Sequence, residues 1–239
     1  MDETSEIAQK ALEFARLNKN RIARELTSVS EFVPDQIPIS VFMAGSPGAG
    51  KTEFSKNLFE LLEEEEGHKI VRIDGDEVRA LMPGYTGANS SLFQGAISVI
   101  VDKLQDLALK HKQTFLLDGT LSRYDKAAEN IRRSLAKNRS VFIFYLYQRP
   151  EVAWKFTLAR EAVEGRNIPK EAFVEQFLAA KDTVEKISVE FGDRISIFLV
   201  KKDFVTAAVE YVVKIEAHGS SIDEYLKERY TEGDLLQAL

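Results

Sequence analysis

Eight consecutive residues, Gly45-Ser46-Pro47-Gly48-Ala49-Gly50-Lys51-Thr52, stand between an apolar run from Ile37 to Ala44 and a helix-like stretch from Glu53 to Leu62. Few short patterns restrict a fold so strongly. The three glycines let the backbone curl until successive N–H groups point inward at an anion, and the helix that follows adds its positive end. The motif therefore needs a strand, a tight loop and a helix in that order, which is the first unit of an α/β sheet. Lys51 offers a point charge to β- and γ-phosphates, and the Thr52 hydroxyl offers a ligand to a magnesium ion bridging the same oxygens. The residues Gly45, Ser46, Pro47, Gly48, Ala49, Gly50, Lys51 and Thr52 are the expected binding site of a nucleoside triphosphate.

The rest of the chain repeats the same alternation. Short β-rich runs at 39–44, 69–74, 114–118, 140–147 and 194–200 are separated by helical patterns near 51–63, 91–111, 124–137, 151–163 and 170–191, with a further helix expected over 204–216. Stacked units of this kind build a parallel, roughly five-stranded sheet flanked by helices on both faces, the layout of a P-loop kinase in the α/β class. The expected organisation is an N-terminal helical extension over 1–36, a kinase core over 37–203 with a lid near 149–169, and C-terminal helices over 204–239 packed on the core. In the extension, Ile7, Ala8, Ala11, Leu12, Ala15, Ile22 and Leu26 recur at helical spacing over 5–28. That stripe reads as an amphipathic helix lying on the core or on a partner. The last stretch, from Ser220 to Leu239, reads as a polar helix.

Composition narrows the partners. The net charge of −6 lacks the basic stripe that displaces counterions from nucleic acid. No apolar run approaches the roughly 18 residues needed to span a bilayer. Asp2, Glu3 and Glu6 stand where a signal peptide would be basic, so the expected compartment is the cytoplasm. With no cysteine, thiolate catalysis and disulfides are excluded. His68, His111 and His218 lack metal-ligand spacing and receive no role.

Three further stretches carry chemistry. In Val71-Arg72-Ile73-Asp74-Gly75-Asp76, a carboxylate just beyond the second strand faces the γ-phosphate, where an acceptor hydroxyl must lose its proton. Asp76 is the expected general base, with Asp74 as the alternative. Thr114-Phe115-Leu116-Leu117-Asp118-Gly119-Thr120 is an apolar strand ending in a carboxylate, and Asp118 is the expected magnesium contact beside Thr52. Between Arg149 and Pro169, Arg160 and Arg166 sit where a mobile lid would bring guanidiniums over the transferring phosphate and exclude water.

Taken together, the loop, Asp76-x-x-Arg79-x-x-x-Pro83-x-Tyr85, Asp118-Gly119-Thr120 and Arg166-x-x-Pro169 resemble the zeta-toxin kinases of bacterial toxin–antitoxin systems, over about residues 37–201. The resemblance implies ATP and Mg2+ as cofactors, an antitoxin as partner, and phosphorylation of the 3′-hydroxyl of UDP-N-acetylglucosamine, which blocks cell-wall precursor synthesis. It implies Lys51, Asp76, Arg160 and Arg166 as catalytic. Arg79, Asp102, Asp118, Thr120 and Arg123 would meet the nucleotide-sugar substrate.

The chain departs from the family pattern at the acceptor side. Aspartate stands at 102 and 118 where many members carry glutamate, Arg123 is displaced by one insertion, and the lid arginines stand only six positions apart. A carboxylate shortened by one methylene withdraws by roughly 1.5 Å. Another nucleotide sugar, a nucleoside or NAD therefore remain alternative acceptors. A reading of another class makes the chain a nucleotide-gated protein-binding module working through residues 5–28.

Overall fold

The computed structural model describes residues 3–203, 208–216, 221–226 and 228–239. Its centre is one sheet of six strands: β1 (Ile39–Ala44), β2 (Val71–Asp74), β3 (Phe115–Asp118), β4 (Ser140–Tyr147), β5 (Ser196–Lys202) and β6 (Val209–Ile215), in the spatial order β2-β3-β1-β4-β5-β6. The first five are mutually parallel and β6 runs antiparallel to β5. All five expected strands are present, within two residues at each end.

The helices are α1 (Glu3–Leu26), α2 (Lys51–Glu66), α3 (Gly75–Ala80), α4 (Gln94–Lys110), α5 (Tyr124–Leu135), α6 (Pro150–Glu164), α7 (Lys170–Phe191), α8 (Ile222–Leu226) and α9 (Glu232–Ala238). They divide between the two faces because strand side chains alternate. Val41 and Met43 of β1, with Leu116, Leu146 and Val200, pack under Phe54, Leu58 and Phe59 of α2. Phe42 and Ala44 turn the other way, into the larger core shared with α4, α5 and α7.

The helix expected over 204–216 is a correction. Residues 209–215 form β6, while 204–207 lie outside the described residues. The run Val209-Glu210-Tyr211-Val212-Val213-Lys214-Ile215 has a period of two, with Tyr211, Val213 and Ile215 more buried than the residues between them. Four of these seven residues are β-branched, which favours a pleated surface over a helix. The sheet therefore has six strands instead of five, and its last pairing is antiparallel. The single C-terminal helix resolves into α8 and α9, the latter held by a capping box between Thr231 and Asp234. Ser220 lies outside the described residues.

Helix α1 settles where the amphipathic stripe goes. Ala11, Ala15, Ile22 and Ala23 are buried, and the helix packs mainly on α4 of its own core. Burying Ile22 contributes about 2 kcal/mol, and the small alanines allow the close approach. Behind α1, His68 Nε2 lies 2.6 Å from the buried Asp35 carboxylate, whose other oxygen accepts the Thr114 N–H at 2.6 Å. Glu66 stands within reach of the same group. The pair acts as a strut tying the end of α2 to the start of β3, and the Lys69 carbonyl, followed by Asp35, holds the His68 pKa up.

Candidate active site

The phosphate-binding loop leaves β1 at Gly45, which has φ 133°. A Cβ there would lie 2.4 Å from the Leu146 carbonyl oxygen of β4, so the loop can hug the sheet only through a glycine. Gly48, at φ 70°, is tighter still, with the Ala153 carbonyl oxygen of α6 at 2.0 Å from the equivalent point and the Thr157 hydroxyl at 2.8 Å. The loop is thereby pressed between the sheet and the helix that carries Arg160. Gly45 N–H donates to the Thr120 carbonyl at 3.1 Å, which fastens the loop to the end of β3.

Lys51 opens α2 and folds back over the loop, donating to the carbonyls of Gly45 at 2.9 Å and Ser46 at 2.7 Å. Burial pushes its ammonium down to about 8; the nearby Asp118 carboxylate opposes this, and Arg166 and Arg160 add to it. One turn on, Ser55 Oγ donates to Asp118 Oδ2 at 2.8 Å. Asp118 closes β3 beside Asp74, its partner in the parallel register with β2. Arg72 lies between them, with Nη2 at 3.0 Å from Asp74 and 3.2 Å from Asp118.

Asp74 and Asp76 divide their work in a way that strand alternation does not describe. Asp74 is the last residue of β2 and accepts the Asp76 N–H at 2.8 Å, capping α3. Burial raises its pKa to about 6, against that N–H bond and with help from Asp118 and Asp76. Asp76 stands on the first turn of α3, not on the strand, and its side chain keeps 34% of its surface exposed. One carboxylate oxygen accepts from Arg79, and the other meets Arg166 at 2.5 Å and Arg160 at 3.4 Å. Arg166 follows α6 just after Gly165, whose φ of 69° ends that helix.

These contacts gather Lys51, Asp76, Asp118, Arg160 and Arg166 into one electrostatic network at the carboxyl ends of the strands, where open α/β sheets bind ligands. Arg79 is only 6% exposed, and its guanidinium is held by Asp76 and by the Gln94 side chain at 2.6 Å. It braces Asp76 from inside. Thr120 lies beside the loop with its hydroxyl 2.9 Å from that of Ser122. Asp102, on α4, pairs with Lys126 at 2.8 Å, and Arg123 is an exposed residue at the start of α5. Neither joins the network.

Ser55, Arg72 and Gln94 belong to the site although nothing singled them out in the sequence. Two of them had a readable signal. Arg72 shares a strand face with Asp74 at i, i+2, and Ser55 lies one helical turn beyond Lys51. Gln94 is placed by the 3-10 turn Ser90–Phe93, which carries no such periodicity.

A phosphate loop, two strand-end carboxylates and a pair of arginines that meet Asp76 from α6 and the segment after it define a P-loop kinase fold and the phosphotransferase class. More narrowly, the chain belongs to the zeta toxin family, whose model matches residues 23–209. It is a toxin-type kinase by that membership. Among solved structures it is similar to a chain of the PezAT chromosomal toxin–antitoxin system of Streptococcus pneumoniae, at 20% identity over 94% of this chain and 92% of that one, with a TM-score of 0.67. It is also similar to a chain of the AvrRxo1-ORF1:AvrRxo1-ORF2 complex solved with ATP, at 17% identity over 93% of this chain and 70% of that one, with a TM-score of 0.60. A chain of the Pnkp1/Rnl/Hen1 RNA repair complex matches at 19% identity over 64% of this chain and 47% of that one, with a TM-score of 0.51. At these identities the likeness is one of fold. No curated protein sequence matches the chain. No helix among the described residues is long and apolar enough to cross a membrane.

Proposed function

We propose that this chain transfers the γ-phosphate of ATP to a sugar hydroxyl of a nucleotide sugar, first of all the 3′-hydroxyl of UDP-N-acetylglucosamine. One observation carries the reading: Asp76, partly open to solvent, is met by Arg160 and Arg166 within the same electrostatic network as Lys51. Asp76 takes the proton of the acceptor hydroxyl as its oxygen bonds to the γ-phosphorus. The bond from that phosphorus to the β–γ bridging oxygen breaks, and ADP leaves. Arg160 and Arg166 exchange Asp76 for the charge that develops on the transferring group, and α6 with the segment after it screens the cleft from water.

The residues present fit ATP and magnesium. The loop is a glycine cradle whose close seat against β4 and α6 leaves no room for a Cβ at 45 or 48, and Lys51 already spends its hydrogen bonds on oxygen atoms at the loop. Thr52 and Asp118, the latter linked to α2 through Ser55, would hold the metal. Bound there, magnesium supplies neutralising charge to the β- and γ-phosphate oxygens.

Lys51 gives this reading a pH signature. Its folded-state pKa of about 8 lies below the usual 10.5, and bound polyphosphate favours the charged form. ATP binding should take up a proton above pH 8, so that affinity falls by about tenfold per pH unit there. Titration calorimetry at pH 9 in two buffers of different ionisation heat reads the uptake directly, and a buffer-independent heat would contradict it.

Another nucleotide sugar, a nucleoside or NAD as acceptor is favoured by a specific observation. The short carboxylates at 102 and 118 are engaged, with Lys126 and with Arg72 and Ser55 respectively. The nucleotide-gated module loses its surface, because the apolar stripe of α1 is covered by α4. An antitoxin is the protein partner proposed; the similar chains come from the PezAT toxin–antitoxin system and from the AvrRxo1-ORF1:AvrRxo1-ORF2 complex.

Mass spectrometry of reactions with ATP, magnesium and a panel of UDP-sugars, nucleosides and NAD tests the acceptor. One added phosphate on UDP-N-acetylglucosamine is the expected result. The same gain on another member keeps the mechanism and replaces the substrate, and no phosphorylated member would overturn the kinase reading.

A further inference from the structure

Lys202 is the last residue of β5, at the carboxyl edge of the sheet from which the phosphate loop and Asp118 also emerge. The residue is 7% exposed. No described residue gives its ammonium a hydrogen bond or ion pair, and the ammonium keeps some contact with solvent. Burial of most of the side chain lowers its pKa, opposed by the field of Glu53. Such an arrangement suits a group that is completed by a bound anion.

The side chain is aimed at the loop. Its Cε and Nζ lie 3.1 and 3.4 Å from the point where a Cβ on Gly50 would sit, and Glu53 Oε2 lies 3.7 Å from the same point. Gly50 immediately precedes Lys51, and Glu53 stands on the first turn of α2. The γ-phosphate end of the site is marked by Asp76, Arg160 and Arg166, whose fields act on Lys51. Lys202 lies beside Gly50, where the loop passes into α2 and cradles α- and β-phosphates.

We propose that Lys202 is a nucleotide ligand, binding the α-phosphate of a nucleoside di- or triphosphate through its ammonium. The proposal rests on the nucleotide reading above and extends it to the end of the site that the lid does not reach. It also gives Glu53 a role, that of holding the lysine toward the loop while partly offsetting its charge. Because ADP and ATP share the α-phosphate, loss of the cation must weaken both by the same factor, unlike loss of Lys51 or of the lid arginines, which costs ATP more than ADP.

Titration calorimetry with ATP and with ADP on the full chain tests this, using Lys202→Met, Lys202→Arg and Glu53→Gln. Methionine keeps the apolar stem against Gly50, so packing is preserved and only the charge goes. Lys202→Met should weaken both nucleotides by about tenfold, the scale of a charge-assisted hydrogen bond, and raise KM for ATP far more than it lowers kcat. Lys202→Arg should keep affinity within a few-fold, and Glu53→Gln should tighten both nucleotides. Unchanged affinity for both nucleotides in Lys202→Met, or a loss confined to ATP, would overturn the assignment while leaving the kinase reading intact. Failure of the unmodified chain to bind either nucleotide would overturn both.

Discussion

Replacing Asp76 with asparagine should lower phosphoryl transfer by a factor on the order of 10² to 10⁴, the range for a positioned general base. The substitution keeps the shape of the side chain and its place on the first turn of α3, where the backbone N–H is held by Asp74. What it removes is the negative charge that meets Arg79, Arg160 and Arg166. Two consequences follow with opposite signs. The acceptor hydroxyl loses its proton sink, so kcat falls. The lid arginines lose their carboxylate partner, so they are freer to meet phosphate, and ATP affinity should hold or rise. Stopped-flow transfer rates beside calorimetric ATP titration separate the two effects. Near wild-type transfer by Asp76→Asn would remove the base assignment and return attention to Asp74.

The second large effect is expected from one methyl group. Gly48→Ala should abolish most turnover, by about a hundredfold or more, with both KM for ATP and kcat affected. At φ 70° a non-glycine residue costs about 1–2 kcal/mol, and the new Cβ would start 2.0 Å from the Ala153 carbonyl oxygen. Backbone cannot retreat as a flexible side chain would, so either the loop or α6 must move. Moving the loop spoils the phosphate cradle, and moving α6 displaces Arg160, one turn beyond the helix face that Thr157 shares with Ala153. Misplacement by an ångström is worth about a hundredfold in rate. Steady-state kinetics with a thermal-unfolding control reads the result. A folded Gly48→Ala protein with wild-type constants would show that α6 does not press on the loop.

Legibility in the sequence followed the range of the interaction. The positions of the loop, of Asp118 at its strand end and of Arg160 and Arg166 near the end of α6 were legible because each lies at a fixed offset from a strand or helix end, and strand β1 and its register with the loop are local facts. Strand β6 was missed because it follows β5 through residues where a crossover helix is customary, and only its period of two argued otherwise. At Asp74 and Asp76 alternation gave the wrong geometry, since α3 begins inside the motif and turns Asp76 on a helical radius. Arg79 shows the limit on the other side. Its spacing from Asp76 is legible, yet its burial depends on Gln94, fifteen residues away across a 3-10 turn. The pairing of Asp102 with Lys126 joins two helices and has no signature in either.

The central claim is that Asp76 drives transfer of a γ-phosphate to a sugar hydroxyl. Its most direct test is a single-turnover reaction with γ-labelled ATP, magnesium and UDP-N-acetylglucosamine, following where the label goes for wild-type and Asp76→Asn protein. The account predicts label on the nucleotide sugar from the wild-type chain and at least about a hundredfold slower appearance from the variant. Label released only as inorganic phosphate, at the same rate with and without acceptor and from both proteins, would contradict it.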